Sequence, residues 1–284
     1  MTTISSLRTT GRNLLKESGI DSHAIDVDVL LMHVLDIDKN TLLTNLDRPM
    51  SDIHADKFMQ MVNARCGNVS IEYLTGKCEF MSLEFAVNPN TLIPRPDTEI
   101  LVETILAAEK NDNTRGLEIG IGSGCISISL EYYAQNITMG GVDICPEAVK
   151  VAAKNYMRIL SRESIFAVSD IFENVPRGTL FDFIVSNPPY IETEEIERLG
   201  SNVRDYEPRI ALDGGADGLD YYRRIAEQGS DYLASDGRIY FEIGYNQARR
   251  VKNILSKAGY VDIMILSDYA GKDRVVWARR SKNV

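Results

Sequence analysis

Histidine is scarce in this 284-residue chain. There are three, His23, His33 and His54, all within the first fifth of the sequence. They lie far from every glycine-rich or proline-rich segment, so neither a histidine-based metal centre nor a Ser-His-Asp arrangement is expected. Cysteine is scarce too: Cys66, Cys78, Cys125 and Cys145 include no C-x-x-C pair. That removes the usual signatures of a zinc site or a redox dithiol, and free thiols are expected. No apolar run reaches the roughly 20 residues of a membrane helix. Met1 to Asn13 lack the basic start and apolar block of a secretory signal, so a cytoplasmic protein with no membrane contact is expected. Positive charge is outnumbered, 31 Lys and Arg against 41 Asp and Glu, for a net charge of -10. Extended contact with duplex nucleic acid normally leaves a basic footprint. Stable nucleic-acid binding is therefore not expected, and a small molecule, a protein or a basic partner is favoured.

What is present reads as a globular protein: 44% of residues are hydrophobic and 25% charged. The length suffices for one large core, or one core and a small companion. Residues 1–75 show apolar residues at helical spacing, in Leu7, Leu14 and Leu15 and again in Ile25, Val29, Leu30, Met32 and Val34. Ser51 is placed to cap a helix with Ile53, Phe58, Met61 and Val62 on one face. We read this region as a small helical bundle. Over residues 76–96 the texture changes to a short hairpin or extended linker around Phe80, Leu83, Phe85 and Val87. It leads into Ile93-Pro94-Arg95-Pro96-Asp97-Thr98-Glu99, where alternate prolines resist helix. Asp97 or Thr98 is expected to cap a helix over Glu99 to Glu109. Residues 97–284 then alternate strand and helix. Strands end near Ile119, Asp143, Val168, Ser186 and Glu242, and two more cover Val261 to Leu266 and Arg274 to Ala278. This predicts an α/β fold: a seven-stranded, mostly parallel sheet with helices on both faces.

Glu118-Ile119-Gly120-Ile121-Gly122-Ser123-Gly124 falls between the first of these strands and a helix. Glycines permit a tight turn and close approach of a ligand. The dinucleotide fingerprint is G-x-G-x-x-G, whereas here the pattern is E-x-G-x-G-x-G. It resembles motif I of the class I methyltransferases, and hence a Rossmann-like fold. A helix N-terminus at this loop suits the carboxylate of a methionine portion, and Glu118 suits its amino group. Asp143, at the end of the next strand, fits hydrogen bonding to ribose hydroxyls, or else caps the following helix. Asp170 fits an adenine amino group, with Ile171 against the ring. The expected cofactor is S-adenosyl-L-methionine, leaving as S-adenosyl-L-homocysteine.

Asn187-Pro188-Pro189-Tyr190 follows the fourth strand directly. It is a rigid, non-helical turn at the carboxyl edge of the sheet, where open α/β folds bind ligands. The segment is similar to one shared by methyltransferases that act on amino groups conjugated to a π system. The Asn187 carboxamide oxygen and the Pro188 carbonyl can each accept one N–H, turning the nitrogen lone pair toward the methyl donor, and Tyr190 can stack on the planar group. Such catalysis rests on orientation and electrostatics, with no metal required. Asn187, Pro188 and Tyr190 are thus the candidate catalytic groups. Asn187, Pro188, Pro189, Tyr190 and Arg95 are the candidate substrate contacts. Glu118 to Gly124, Asp143, Asp170, Ile171 and Asn187 supply the candidate cofactor contacts.

Taken together, residues 93–99, 118–124 and 186–191 resemble the HemK/PrmC family. Tyr73-Leu74-Thr75-Gly76, Tyr206-Glu207-Pro208, Ala211 to Gly215, Asp217-Gly218-Leu219 and Glu242-Ile243-Gly244 add to the resemblance. It extends over nearly the whole chain. It implies a glutamine N5-methyltransferase acting on the Gly-Gly-Gln loop of peptide-chain release factors, with residues 1–75 helping to dock the protein substrate. Separately, a monomer is expected. A glutamine methyltransferase of a large-subunit ribosomal protein and a nucleic-acid adenine N6 methyltransferase remain as alternatives. The family often carries a proline near Ile71 and an aromatic at Ile171, and this chain departs from it at both positions.

Overall fold

The computed structural model describes residues 2–281; Met1 and residues 282–284, the outer ends of the two expected domains, lie outside the described residues. The chain divides into two units. The first comprises the chain through Lys77 together with Gly200–Tyr206. Its helices are α1 (Ile4–Glu17), α2 (His23–Leu35), α3 (Lys39–Thr44), α4 (Asp52–Cys66) and α5 (Ile71–Thr75). Thr3 and Ser6 cap α1 reciprocally, side chain to backbone. Ser51 caps α4 through the His54 N–H. Leu15, Leu30, Leu31, Phe58 and Val62 are fully buried between the helices. Ile53 corrects the expected face of α4: it is 80% exposed, while Phe58, Met61 and Val62 turn inward. Arg65 pairs with the buried Asp26 at 2.7 Å, so that carboxylate is not left uncompensated.

In the second unit the hairpin forms from β1 (Lys77–Phe80) and β2 (Leu83–Ala86), and Met81 and Ser82 turn it with positive φ. The expected linker is thereby divided. From Cys78 onward it packs with the second unit, because Phe80 and Phe85 are buried there against Ile100, Leu101 and Ile105. The remaining elements are α6 (Glu99–Ala108), β3 (Thr114–Ile119), α7 (Cys125–Tyr133), β4 (Ile137–Asp143), α8 (Pro146–Leu160), β5 (Ile165–Val168) and β6 (Phe181–Ser186). There follow α9 (Ser201–Arg204, in the segment that joins the first unit), α10 (Asp220–Gly229), β7 (Leu233–Glu242), α11 (Ala248–Lys257), β8 (Tyr260–Ser267) and β9 (Asp273–Arg280).

The expected seven-stranded sheet is present among the described residues, in the order β5-β4-β3-β6-β7-β9-β8. β3 to β7 pair in parallel, and β9 runs antiparallel between β7 and β8. Period-two alternation divides the core into two layers. Leu117, Ile119, Ile184, Ile239 and Phe241 face α10 and α11. Phe183, Val185 and Tyr240 face α6, α7 and α8. No described helix is long and apolar enough to cross a membrane.

The Phe183 ring meets Tyr240 edge-on at 6.0 Å and is fully buried. Phe183→Ala should lower stability by about 3–5 kcal/mol, read as a shift of the denaturant midpoint with the slope unchanged. A loss below about 1 kcal/mol would place this ring outside the load of the core.

Candidate active site

The carboxyl ends of β3, β4, β5 and β6 open into one cleft. β3 passes into the glycine loop, where Gly120, Gly122 and Gly124 have φ of 76°, 53° and 82°. A Cβ at Gly120 or Gly122 would meet nothing within 4 Å, and both residues line the cleft with bare backbone. Glu118, Gly120, Ile121, Gly122 and Ser123 line the cleft. Gly124 does not: it begins α7, and its missing Cβ makes room for Ile128 and Ala152.

Three acids stand at successive strand ends. Glu118 is 1% exposed and accepts the Ser127 N–H at 2.9 Å and the Ser127 hydroxyl. Burial raises its pKa to about 8, against the opposing pull of those two bonds. Asp143 accepts the Gly122 N–H on Oδ2 and the Cys145 N–H on Oδ1, each at 2.9 Å. It therefore ties the glycine loop to the turn that enters α8, whose N-cap residue is Cys145. Burial raises the Asp143 pKa, while its bonds to the Cys145 and Gly122 N–H groups oppose the rise. Asp170 lies just past β5 and receives Arg224 from α10 at 2.7 Å. Ile171 follows with φ of 50°, a strained value for a β-branched residue. It is 3% exposed and packs into the core while lining the cleft.

On the other side of β3, the Ser186 hydroxyl donates to the Ile119 carbonyl at 2.7 Å. Asn187, Pro188 and Pro189 therefore emerge beside the glycine loop and line the same cleft. Asn187 Nδ2 donates to Thr98 Oγ1 at 3.3 Å. Asn187 Oδ1 and the Pro188 carbonyl take no hydrogen bond among the described residues. The loop is locked from behind. Gln247 Nε2 donates to the Tyr190 carbonyl at 2.9 Å, and Ile191 exchanges backbone bonds with Leu212 and Gly214. Tyr190 is not among the residues lining the cleft: it is half-buried and packs against the core. Burial, then the charge of Glu242, raises its pKa to about 12, which keeps the hydroxyl protonated. Arg95 lines the cleft and pairs with the buried Glu207 carboxylate.

Several lining groups escaped the sequence reading. α10 contributes Tyr221 and Ile225, and Arg224 sits 5.9 Å over the Tyr221 ring. The signal for that helix was Tyr222, Ile225, Ala226 and Gly229 at helical spacing, all of them buried. Thr98 makes no cap bond for α6, and Asp97 pairs with Arg274 instead. Glu242, 1% exposed at the end of β7, faces Thr98 and Asn187 from below the cleft. Among the described residues no cluster of His, Cys, Asp and Glu is arranged to hold a metal ion.

Residues 6–76 match the family described as the PrmC N-terminal domain, and residues 96–202 match the methyltransferase small domain. The release factor glutamine methyltransferase of Clostridium acetobutylicum is 40% identical over 271 residues, 94% of this chain and 95% of that protein. The Vibrio cholerae protein of the same name is 37% identical, covering 92% of this chain and 91% of its own length. A methyltransferase structure from Pyrococcus furiosus superposes with a TM-score of 0.53 at 18% identity, over 71% of this chain and 91% of that one, a likeness of fold.

The locking of the loop can be tested at Gly218, whose φ is 69° and whose added Cβ would stand 2.4 Å from the Tyr190 carbonyl oxygen. Gly218→Ala should destabilise the protein by more than about 1 kcal/mol in a chemical melt. Unchanged stability would mean that residues 187–190 are not held as described.

Proposed function

Since this chain belongs to the release factor glutamine methyltransferase family, we propose that Asn187 and Pro188 hold the side-chain amide of a substrate glutamine for methylation at N5. The observation that carries this reading is the pair of acceptors without partners, Asn187 Oδ1 and the Pro188 carbonyl, at the mouth of the cleft. A primary amide has two N–H groups to give them. With Asn187 Nδ2 already turned to Thr98, its oxygen is the atom left for the substrate. The glutamine is that of the Gly-Gly-Gln loop of a release factor, and the helical first unit assists in docking that protein.

The cleft fits S-adenosylmethionine on the side of the glycine loop. Gly120 and Gly122 leave the backbone bare. Glu118 matches a charged amino group, Asp143 matches vicinal hydroxyls, and Asp170 with Ile171 matches the amino edge and face of adenine. When bound, S-adenosylmethionine supplies a methyl group already activated by a sulfonium centre. What remains for the protein is geometric. An amide nitrogen is a poor nucleophile because its lone pair is delocalised. Holding both N–H groups in fixed hydrogen bonds directs the lone pair out of conjugation and toward the donor side of the cleft. The same two acceptors stabilise the positive charge that develops on nitrogen as it becomes tetrahedral. As the new N–C bond replaces the donor's S–C bond, the nitrogen becomes acidic and loses one N–H proton, which restores a neutral amide. Pro188 and Pro189 make the turn stiff, so little ordering remains for the reaction step.

Asn187→Ala should lower kcat on a release-factor substrate by roughly 10²–10³-fold while leaving most of the donor affinity measured by calorimetry. Wild-type turnover in a labelled-methyl assay would remove Asn187 from the reaction. A second expectation concerns Glu118. With its pKa at about 8, its carboxyl is largely protonated at pH 7. Binding a cationic amino group favours the ionised form, so the complex holds fewer protons and donor affinity rises as pH increases toward 8. Calorimetry in buffers of different ionisation enthalpy should show proton release that is absent in Glu118→Gln. Equal release in both proteins would assign the proton elsewhere.

A further inference from the structure

The end of β7 carries a carboxylate that the reaction as described does not use. β6 and β7 run in parallel with Ser186 beside Phe241. The next residues along, Asn187 and Glu242, are therefore neighbours at the carboxyl edge. Glu242 is 1% exposed. Its Oε2 is buried without a fully formed hydrogen bond among the described residues, although the Thr98 hydroxyl and the Asn187 amide both face it and favour its charged form. Thr98 is itself 2% exposed and receives Asn187 Nδ2 at 3.3 Å. Asn187 Nδ2 thus donates to Thr98, and the buried Glu242 carboxylate lies close to both residues. Arg274, 8% exposed, stands beside them; its Nη2 is engaged by Asp97 at 2.9 Å and Asp268 at 3.2 Å, and its buried Nε has no hydrogen bond among the described residues. It offsets the Glu242 charge without taking its place toward Asn187.

We propose that Glu242 is a positioning residue: as the buried carboxylate beside Asn187 and Thr98, it holds the Asn187 carboxamide with its nitrogen inward and its oxygen presented to the substrate amide. The proposal rests on the glutamine-amide reading above. The physical argument is one of charge. A carboxamide can turn end for end with almost no change of shape. Turned the wrong way, Asn187 would bring its oxygen toward a buried carboxylate and its NH₂ toward the substrate N–H groups. The first contact repels in a medium of low polarity, and the second removes the acceptor. Glu242 makes the productive orientation the stable one before substrate arrives, which is preorganisation of the acceptor. Burial raises the Glu242 pKa to about 7, with Thr98, Arg274 and Asn187 pulling it down and Asp97 adding to the rise. The carboxylate form is therefore accessible at neutral pH.

The test uses the full chain with Glu242→Gln, which keeps shape and removes the charge. Thr98→Val, which removes the hydroxyl that accepts Asn187 Nδ2, serves as a second variant if the first folds poorly. Either change should lower kcat by roughly 10–100-fold, with KM for release factor and the donor dissociation constant within about twofold of wild type. Independently of activity, the side-chain amide resonance of Asn187 in ¹⁵N-asparagine-labelled protein, assigned by its loss in Asn187→Ala, should shift in Glu242→Gln. Wild-type kcat in both variants, a loss confined to donor affinity, or a fall in kcat with the Asn187 resonance unmoved would each overturn the proposal. Should wild-type protein leave release-factor glutamine unmethylated, the functional reading fails, while the resonance shift still reports on the Glu242–Asn187 contact.

Discussion

The parallel pairing of β3 with β6 sets Ile119 beside Ser186, and the Ser186 hydroxyl bonds to the Ile119 carbonyl at 2.7 Å. The two segments that matter chemically leave the sheet from these adjacent positions, the glycine loop from β3 and residues 187–190 from β6. A slip of register would separate them and turn every side chain of β6 to the opposite layer. Because Phe183 and Val185 are buried on one face and Ile184 on the other, the register is strongly specified. The core thus sets the distance between the two halves of the site.

Buried carboxylates are concentrated below this edge. Glu118, Asp143 and Glu242 come from β3, β4 and β7, and burial raises the pKa of each. Such groups weaken a fold unless they are hydrogen-bonded. Glu118 is held by Ser127, and Asp143 by the Gly122 and Cys145 N–H groups. Strained Ile171 lies at the same edge. Concentrated strain and perturbed acids are what a preorganised site looks like when stability is spent on function.

Much of this was legible in the sequence. The strands of the parallel sheet are short apolar runs that end in glycine, aspartate or asparagine, and their order along the chain follows from alternation with helices. The glycine loop and Asn187 to Pro189 were readable because glycine and proline constrain the backbone directly. Other features depend on where remote elements come to rest. Glu242 ends a strand over fifty residues after Asn187, and no local pattern says that its side chain faces that amide. Tyr221 and Ile225 reach the cleft from α10, whose helical spacing could have been found but whose direction could not. Tyr190 looked like a stacking platform beside two prolines. Its carbonyl is held by Gln247 and its ring packs against the core, contacts made by elements remote in sequence. Ile53 fitted the apolar face of α4 by spacing and lies in solvent all the same, because spacing limits a face without showing how wide a stripe the neighbours cover.

In the proposed function, this edge of the sheet presents two acceptors to the primary amide of a protein glutamine. Tandem mass spectrometry after incubating the protein and S-adenosylmethionine with a mixture of release factor, ribosomal proteins and nucleic acid tests this. One methyl group is expected on the side-chain amide nitrogen of the glutamine in the Gly-Gly-Gln loop of the release factor. A methyl group on a ribosomal protein, on a base, or on an oxygen or aliphatic amine, with the release-factor glutamine unmodified, would contradict it.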